Sequence, residues 1–570
     1  MKIYDAQEQM FQIPASLLPQ PAAGKLKNSD LEFSLKSDPF SFTVKRKSNN
    51  ETLFDTSGEA LVFESQYLRL RTSLSPSSNI YGLGESADSF RHDAANYSHA
   101  IWTAGEPFMP KNANLYGAYP VYYDHRGSKG THAVYLRNMN AMRINLSNNV
   151  LEYNIIGGIF DLYFISGPTP KDVSVQFAEV VGKPTMMPYW GFGFHQCRFG
   201  YQDAYETAAV VANYSAANIP LETVWNDVDY MDYRSTFSVD PIRFPVKRMR
   251  TLIDHLHSHD QHYIMMLDPA VAAKDYKPYN DGVKMDALMK ESNGSVYTGV
   301  VWAGPSSFPD WFAPSVQDFW NEQFNSFFNR DNGIDIDGLW IDMNEPSNFC
   351  DYPCTNPKQF AIEARNPPRP PPARMYSPYK IPGFPDEFQP HCMSTITFEV
   401  NADIKDGDDL LILGDALSIG NGTPRLAPQL RGDNGVYRIT VQLPANAETE
   451  YSFPRYTHEG EYVYEAKNRT VKTGDCGYTA TVSDTSPYPA GGQKQRRATK
   501  DDDPLHRELI SPPYDIHNYF GQISGQTMPT NLYHANDMVE YDVHSFYGSQ
   551  MGAKSRQALM QRRPGRRPLM

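Results

Sequence analysis

Asp335-Ile-Asp-Gly-Leu-Trp-Ile-Asp-Met-Asn-Glu-Pro-Ser-Asn-Phe349 reads as a strand that runs straight into a site. Period-2 alternation puts Gly338, Trp340 and Asp342 on one face and Leu339, Ile341 and Met343 on the other. Both faces are too apolar for a solvated edge, so the strand is expected to be buried on both sides. Pro346 bars further ladder bonding and pushes Glu345 out of helical geometry, so strand becomes loop just past Asp342. That leaves a carboxylate beside an indole at the carboxyl end of a buried strand. A parallel α/β barrel places its chemistry there, whereas a carboxylate elsewhere on such a strand would be costly. The structural alternative is a buried Asp satisfied by loop amides.

The surrounding text repeats the pattern. Tyr189–His195, Leu221–Asp229 and His262–Asp268 read as three further buried strands. Between them stand a helix from Asp203, its cap, to Ala217 and a basic, apolar-striped helix from Val246 to His257. A third helix starts at Ser315, with Val316, Phe319, Trp320, Phe324, Phe327 and Phe328 at helical spacing, a stripe that reads as core. Acids then fall near successive strand ends: Asp227 or Asp229, Asp268 and Asp342. Each alone has a helix-capping alternative, but their convergence on one rim of a (β/α)8 TIM barrel indicates a binding site.

Trp340-Ile-Asp-Met-Asn-Glu345 resembles the nucleophile signature of the family 31 glycoside hydrolases, the α-glucosidase and sucrase-maltase group. The resemblance implies that Asp342 attacks the anomeric carbon and that Glu345 is a nearby carboxylate orienting the loop. It assigns Asp227 and Asp268 to the hydroxyls of the sugar at the cleaved bond. Trp302 and Trp340 become pocket walls, with Met343 beside the nucleophile in the substrate-binding set. Phe199 stands where the family more often has tyrosine. Glu106 falls where a loop of the family's amino-terminal domain carries a substrate-contacting acid, but Ala104-Gly-Glu-Pro-Phe108 departs from the usual pattern. An Asp nucleophile forms a covalent glycosyl ester, and a protonated carboxyl about 5 Å away must serve the leaving oxygen.

At 570 residues the chain exceeds one core. Residues 1–182 read as a β-sandwich, with alternating strands at Phe40–Lys45, Ala133–Arg137 and Leu151–Ile155. Residues 183–365 are the first part of the barrel, and 366–393 a linker opened by the stiff polyproline run Asn366–Pro372. Residues 394–487 read as an inserted small β-sandwich. It resembles a family 20 starch-binding module in which Gly422 and Tyr464 stand where two stacking tryptophans belong. Residues 488–570 return to the barrel, through Pro512–Asn518 and Glu540–Gly548, which resemble the family again, and a helix from Met551 to Arg562. The resemblance implies that the chain ends at the start of the fifth strand, before a substrate-binding arginine and the acid/base Asp. Only the first half of the barrel is then present, and residues 1–570 are expected to be inactive alone.

The net charge of -14 and pI near 5.5 exclude the basic footprint that nucleic acid or an anionic membrane demands. No apolar run is long enough to span a bilayer. Cys350-Asp-Tyr-Pro-Cys354 reads as a small disulfide ring in preference to half a metal site, because no histidine or second cysteine pair lies near it. That ring implies an oxidising compartment, and N-x-S/T sequons at Asn50, Asn96, Asn145, Asn213, Asn293, Asn421 and Asn468 point the same way. Met1–Asp5 does not begin a signal peptide, so either the protein stays inside the cell or its start lies outside this sequence; with the cysteine ring and sequons, a secreted protein is the expectation. The expected function is a retaining α-glucosidase acting on oligosaccharide or starch ends, needing no cofactor or metal. The rival readings are an α-xylosidase and a noncatalytic carbohydrate-binding fragment.

Overall fold

Four parallel strands carry the site: β1 (His195–Gln196), β2 (Thr223–Asn226), β3 (His262–Leu267) and β4 (Gly338–Ile341), side by side in chain order. They belong to a computed structural model that describes residues 1–18, 29–105, 109–405, 407–433, 435–486, 507–514 and 516–570. Leu267 pairs with Ile341 across the β3–β4 ladder, so Asp268 and Asp342 follow two neighbouring last residues. β3 is buried from Tyr263 to Leu267, which explains its unbroken run of large apolar residues.

The helices behind the sheet form for local reasons. Helix α1 (Ala204–Ala216) is capped by Asp203, whose carboxylate accepts the Glu206 N–H at 2.9 Å. Helix α2 (Val246–Ser258) buries Met249, Leu252, Ile253 and Leu256, one stripe at helical spacing. Helix α3 (Val316–Phe327) buries Val316, Phe319, Trp320 and Phe324, each worth roughly 1.5–3 kcal/mol of transfer. Helix α4 (Tyr547–Arg562) starts one turn earlier than expected and locks to α3 where Trp320 Nε1 donates to Ser555 Oγ at 2.9 Å. Beyond it, Leu569 makes a parallel bridge to Gly338, beside β4.

One expected strand fails here, and one unit appears that was not expected. The first strand is not Tyr189–His195: residues Tyr189–Phe192 form a 3-10 turn, and only His195 and Gln196 join the ladder. Gly191 and Gly193 explain this, because glycine weakens a strand and a Cβ at Gly193 would lie 2.6 Å from the Glu222 side chain. The aromatic residues that suggested burial are open, with Tyr189 91% exposed. Unforeseen, an antiparallel unit of Val271–Ala272, Gly304–Ser307 and Gly299–Val301 rises after β3. Its hairpin turns at Trp302-Ala303, and Gly304 (φ +83) follows, where a Cβ would meet the Asn366 carbonyl at 2.9 Å.

The amino-terminal region packs two five-stranded sheets, with a three-stranded sheet beside them, around Phe42, Phe54, Ile80, Tyr122, Val134, Ile144, Tyr153 and Phe160. Residues Met393–Ser486 build a second, smaller core from Ile396, Phe398, Val400, Ile412, Val441, Leu443 and Phe453. The Cys392–Cys476 disulfide clips its ends. The proline-rich stretch before it is not an open spacer: the Arg369 guanidinium lies 4.4 Å from the Tyr456 ring centroid and 3.6 Å from Asp409.

Candidate active site

Asp342 leaves β4 with its backbone N–H still directed at the Leu267 carbonyl and its Oδ1 accepting the Met343 N–H at 2.7 Å. Met343 has φ +57, an unusual turn for a non-glycine residue that swings the loop away from the sheet. Asp227 repeats the device after β2, its Oδ1 accepting the Val228 N–H at 2.6 Å. Asp268 after β3 is buried, and its Oδ1 has no hydrogen-bond partner among the described residues. Glu345 is buried too, with Oε2 accepting the Ser347 hydroxyl at 2.6 Å.

The charges of neighbouring carboxyls act on Asp268, Asp227 and Glu345. Burial pushes Asp268 well above the ordinary carboxylate range, and the charges of Asp342, Asp227 and Glu345 push it further. Burial raises Asp227 as well, against its hydrogen bond from Val228, with Asp229 and Asp342 adding to the rise. Asp342 is raised by burial alone, while the Met343 N–H favours its anion. Burial also raises Glu345, opposed by the Ser347 hydroxyl. An uncompensated acceptor among crowded carboxyls suits a ligand that brings its own hydroxyl donors.

Aromatic side chains stand on the same strands and the loops near them. Trp340 lies 5.8 Å from Trp225, ring centre to ring centre, and Trp302 meets Phe349 edge-on at 4.9 Å. Phe199 is 61% exposed and lies 5.5 Å from the Arg234 guanidinium. Met343 packs against the barrel-side core. Glu106 lies outside the described residues.

The sequence reading did not find what holds the loop after β4. Thr103, from the amino-terminal sandwich, donates its hydroxyl to the Glu345 carbonyl at 3.0 Å, and the Thr103 carbonyl accepts from His544 Nε2 at 2.7 Å. His544 Nδ1 meets Glu540 Oε1 at 2.7 Å; the other Glu540 oxygen meets His534 Nε2 at 2.7 Å, and His534 Nδ1 meets Asp310 at 2.8 Å. Carboxylates only accept, so His534, between Asp310 and Glu540, donates from both nitrogens. The result is a buried alternation of charge. At His534, burial works against the cation, but Asp310 and Glu540 outweigh it and lift the ring to about 9. Burial likewise opposes Glu540, and its two histidine donors hold it below the usual range. Glu540 and His544, at i,i+4 spacing within a family-like stretch, were the available signal. Arg234 was also missed: Nη2 pairs with Asp229 at 2.9 Å, and Nη1 is buried with no partner among the described residues.

Among the described residues no group of three or more His, Cys, Asp or Glu could hold a metal, and no helix is long and apolar enough to cross a membrane. Cys350 and Cys354 are disulfide-bonded. A cavity of about 870 Å³, lined by Trp190, His257, His262 and Arg563, opens at the amino-terminal ends of the strands, away from the four carboxyls.

Residues 184–570 match the family model described as glycosyl hydrolases family 31 TIM-barrel domain. Residues 10–145 match the glycosyl hydrolase 31 N-terminal galactose mutarotase-like domain. A protein of Aspergillus clavatus named "Probable alpha/beta-glucosidase" is 43% identical over 578 residues, covering 100% of this chain and 54% of its own length. "Glucoamylase 1" of Candida albicans is 39% identical over 368 residues, 62% of this chain and 38% of that protein. The chain thus spans about half the length of the curated Aspergillus relatives it matches. A family 31 dextranase of Flavobacterium johnsoniae, solved with glucose, superposes with a TM-score of 0.51 at 20% identity, over 56% of this chain and 38% of the dextranase. That likeness is one of fold.

Proposed function

The chain belongs to family 31 of the glycosyl hydrolases, and from that premise we propose that it carries the nucleophile side of a retaining α-glucosidase. Its substrates are the terminal glucose units of maltose-like oligosaccharides or starch. One observation carries the reading: Asp227, Asp268 and Asp342 follow the ends of three neighbouring parallel strands, and the buried Asp268 oxygen is left without a partner among the described residues while the charges of Asp342 and Asp227 reach it.

An Asp342 oxygen bonds to the anomeric carbon as the bond to the leaving oxygen breaks, and water later hydrolyses the resulting glycosyl ester. Asp268, with its unpaired oxygen, and Asp227 take the hydroxyls of the glucose. Trp302, Trp340 and Met343 supply the walls, and Phe199 lies beside the scissile bond. The resemblance assigns no residue of this chain as the proton donor to the leaving group. Residues 1–570 assayed alone therefore cleave unactivated glucosides poorly, since such help is worth roughly 10²- to 10⁴-fold. The Cys350–Cys354 and Cys392–Cys476 disulfides support a secreted, oxidised setting. The inserted sandwich offers Gly422 and Tyr464 in place of two stacking tryptophans, so its own starch retention is weak.

Competition binding tests the reading. A glucose-shaped iminosugar is expected to bind residues 1–570, and Asp268→Asn to weaken it at least tenfold, the scale of a lost hydrogen bond to a charged group. Tighter binding of the xylose-shaped analogue, which lacks the hydroxymethyl, would favour an α-xylosidase. Binding of neither would refute a sugar pocket.

A further inference from the structure

The inserted sandwich grips the barrel at the loop after β2. The Tyr233 hydroxyl donates to the Arg425 carbonyl, and the Arg425 guanidinium lies 5.3 Å from the Tyr233 ring centroid and 3.7 Å from Asp232. A second grip lies beside it, where Arg365 approaches Asp409 at 3.3 Å and Arg369 lies over Tyr456 and Tyr462.

The loop so gripped is strained. Tyr233 has φ +48 and Arg234 φ +59, two successive non-glycine residues in the left-handed region. Such a turn persists only when its surroundings over-determine it, and the Arg425 contacts fall on the first of the two residues. From Arg234 the contacts run inward. Its Nη2 donates to Asp229 Oδ1 at 2.9 Å, Asp229 Oδ2 accepts the Gly200 N–H at 2.6 Å, and Gly200 follows Phe199, which the Arg234 guanidinium also covers. Lys274 ties the far side of the loop, donating to Ser235 Oγ at 2.7 Å. Asp227, two residues before Asp229, lies within the influence of both Asp229 and Arg234.

We infer that the inserted sandwich is a positioning element of the active site. Arg425 holds the Tyr233–Arg234 turn so that Arg234 and Phe199 form the wall met by the sugar beyond the scissile bond. Arg425 and Arg234 thereby set how the leaving-group sugar is accepted, and this role requires no starch binding by the sandwich itself. The inference rests on the sugar-pocket reading above.

The test uses residues 1–570 and two probes: a monosaccharide iminosugar, which fills only the glucose pocket, and a non-hydrolysable thio-linked maltoside, which also reaches the wall. Arg425 is 55% side-chain exposed, so Arg425→Ala leaves the fold intact. The expected result is maltoside binding about fivefold weaker with iminosugar binding changed less than twofold. Arg234→Ala repeats that split, and Arg425→Lys, which keeps the charge near Asp232 but not the planar stack, restores it in part. Equal weakening of both probes, or undiminished maltoside binding, would overturn the inference. Failure of the wild-type chain to bind the iminosugar would refute the sugar pocket, and the inference with it.

Discussion

Two loops bring carboxyls to the same rim and are held there by opposite means. The loop after β4, from Asp342 to Asn348, hangs from Thr103 and the buried alternation of His544, Glu540, His534 and Asp310, all under a tenth exposed. The loop after β2, from Asp227 to Phe237, is held from outside by the exposed Arg425 and within by the largely buried Arg234, itself in left-handed backbone. Buried charge that is fully paired is rigid because any unpaired member is costly. Exposed pairs give little energy and bend readily to new partners. The loop after β4 thus sits where geometry must not vary, and the loop after β2 where it can.

The contrast breaks first at Glu540. Glu540→Gln leaves two imidazoles without their shared anion and is expected to cost about 3–5 kcal/mol in urea unfolding, whereas Arg425→Ala should cost under about 1 kcal/mol. Similar costs for the two would erase the distinction. Alkali probes the same chain. His534 is raised in the folded state, so its contribution is complete below pH 6.5 and lost as pH rises through about 9. Thermal unfolding across pH 7 to 10 should show a fall of several degrees that His534→Gln largely removes.

A smaller effect, with substitution stabilising instead of destabilising, belongs to Asp268. Its carboxyl is raised on folding, so the folded state holds the proton more tightly than the unfolded one. Its stabilisation is greatest below pH 3.8 and is lost as pH rises toward the raised folded value. Asp268→Asn should therefore stabilise the protein at pH 7 while sugar binding falls. Loss of stability there would mean that the buried carboxyl is already satisfied. The smallest effect is expected from salt: at 1 M NaCl, amides of residues 232–236 should exchange a few times faster and those of 342–348 at an unchanged rate.

Much of this was legible in the sequence because it is local. Trp340-Ile-Asp-Met-Asn-Glu345 announces its strand end through alternation and Pro346, and Asp203 announces α1 through its capping position. Tyr189–His195 misled because alternation counts apolar residues without seeing that two glycines and an open flank leave them exposed. The Trp302 hairpin hid in a short run whose turn is set by Gly304 against a carbonyl far along the chain. What holds each loop was illegible for one reason. Thr103 and Glu345 are 242 residues apart and Tyr233 and Arg425 are 192 apart, and no periodicity links them.

The central claim is that Asp342 is the nucleophile, and covalent trapping tests it most directly. A 5-fluoro-α-glucosyl fluoride carries a leaving group that departs without a proton donor, so the carboxylate alone should open it and the ring fluorine should slow release of the ester. Incubated with residues 1–570 and mapped by peptide mass, the label is expected on Asp342 and should be absent from Asp342→Asn, a nearly isosteric change. A label on Glu345 or Asp227, or an Asp342→Asn chain that is labelled as fast as the wild type, would contradict the account.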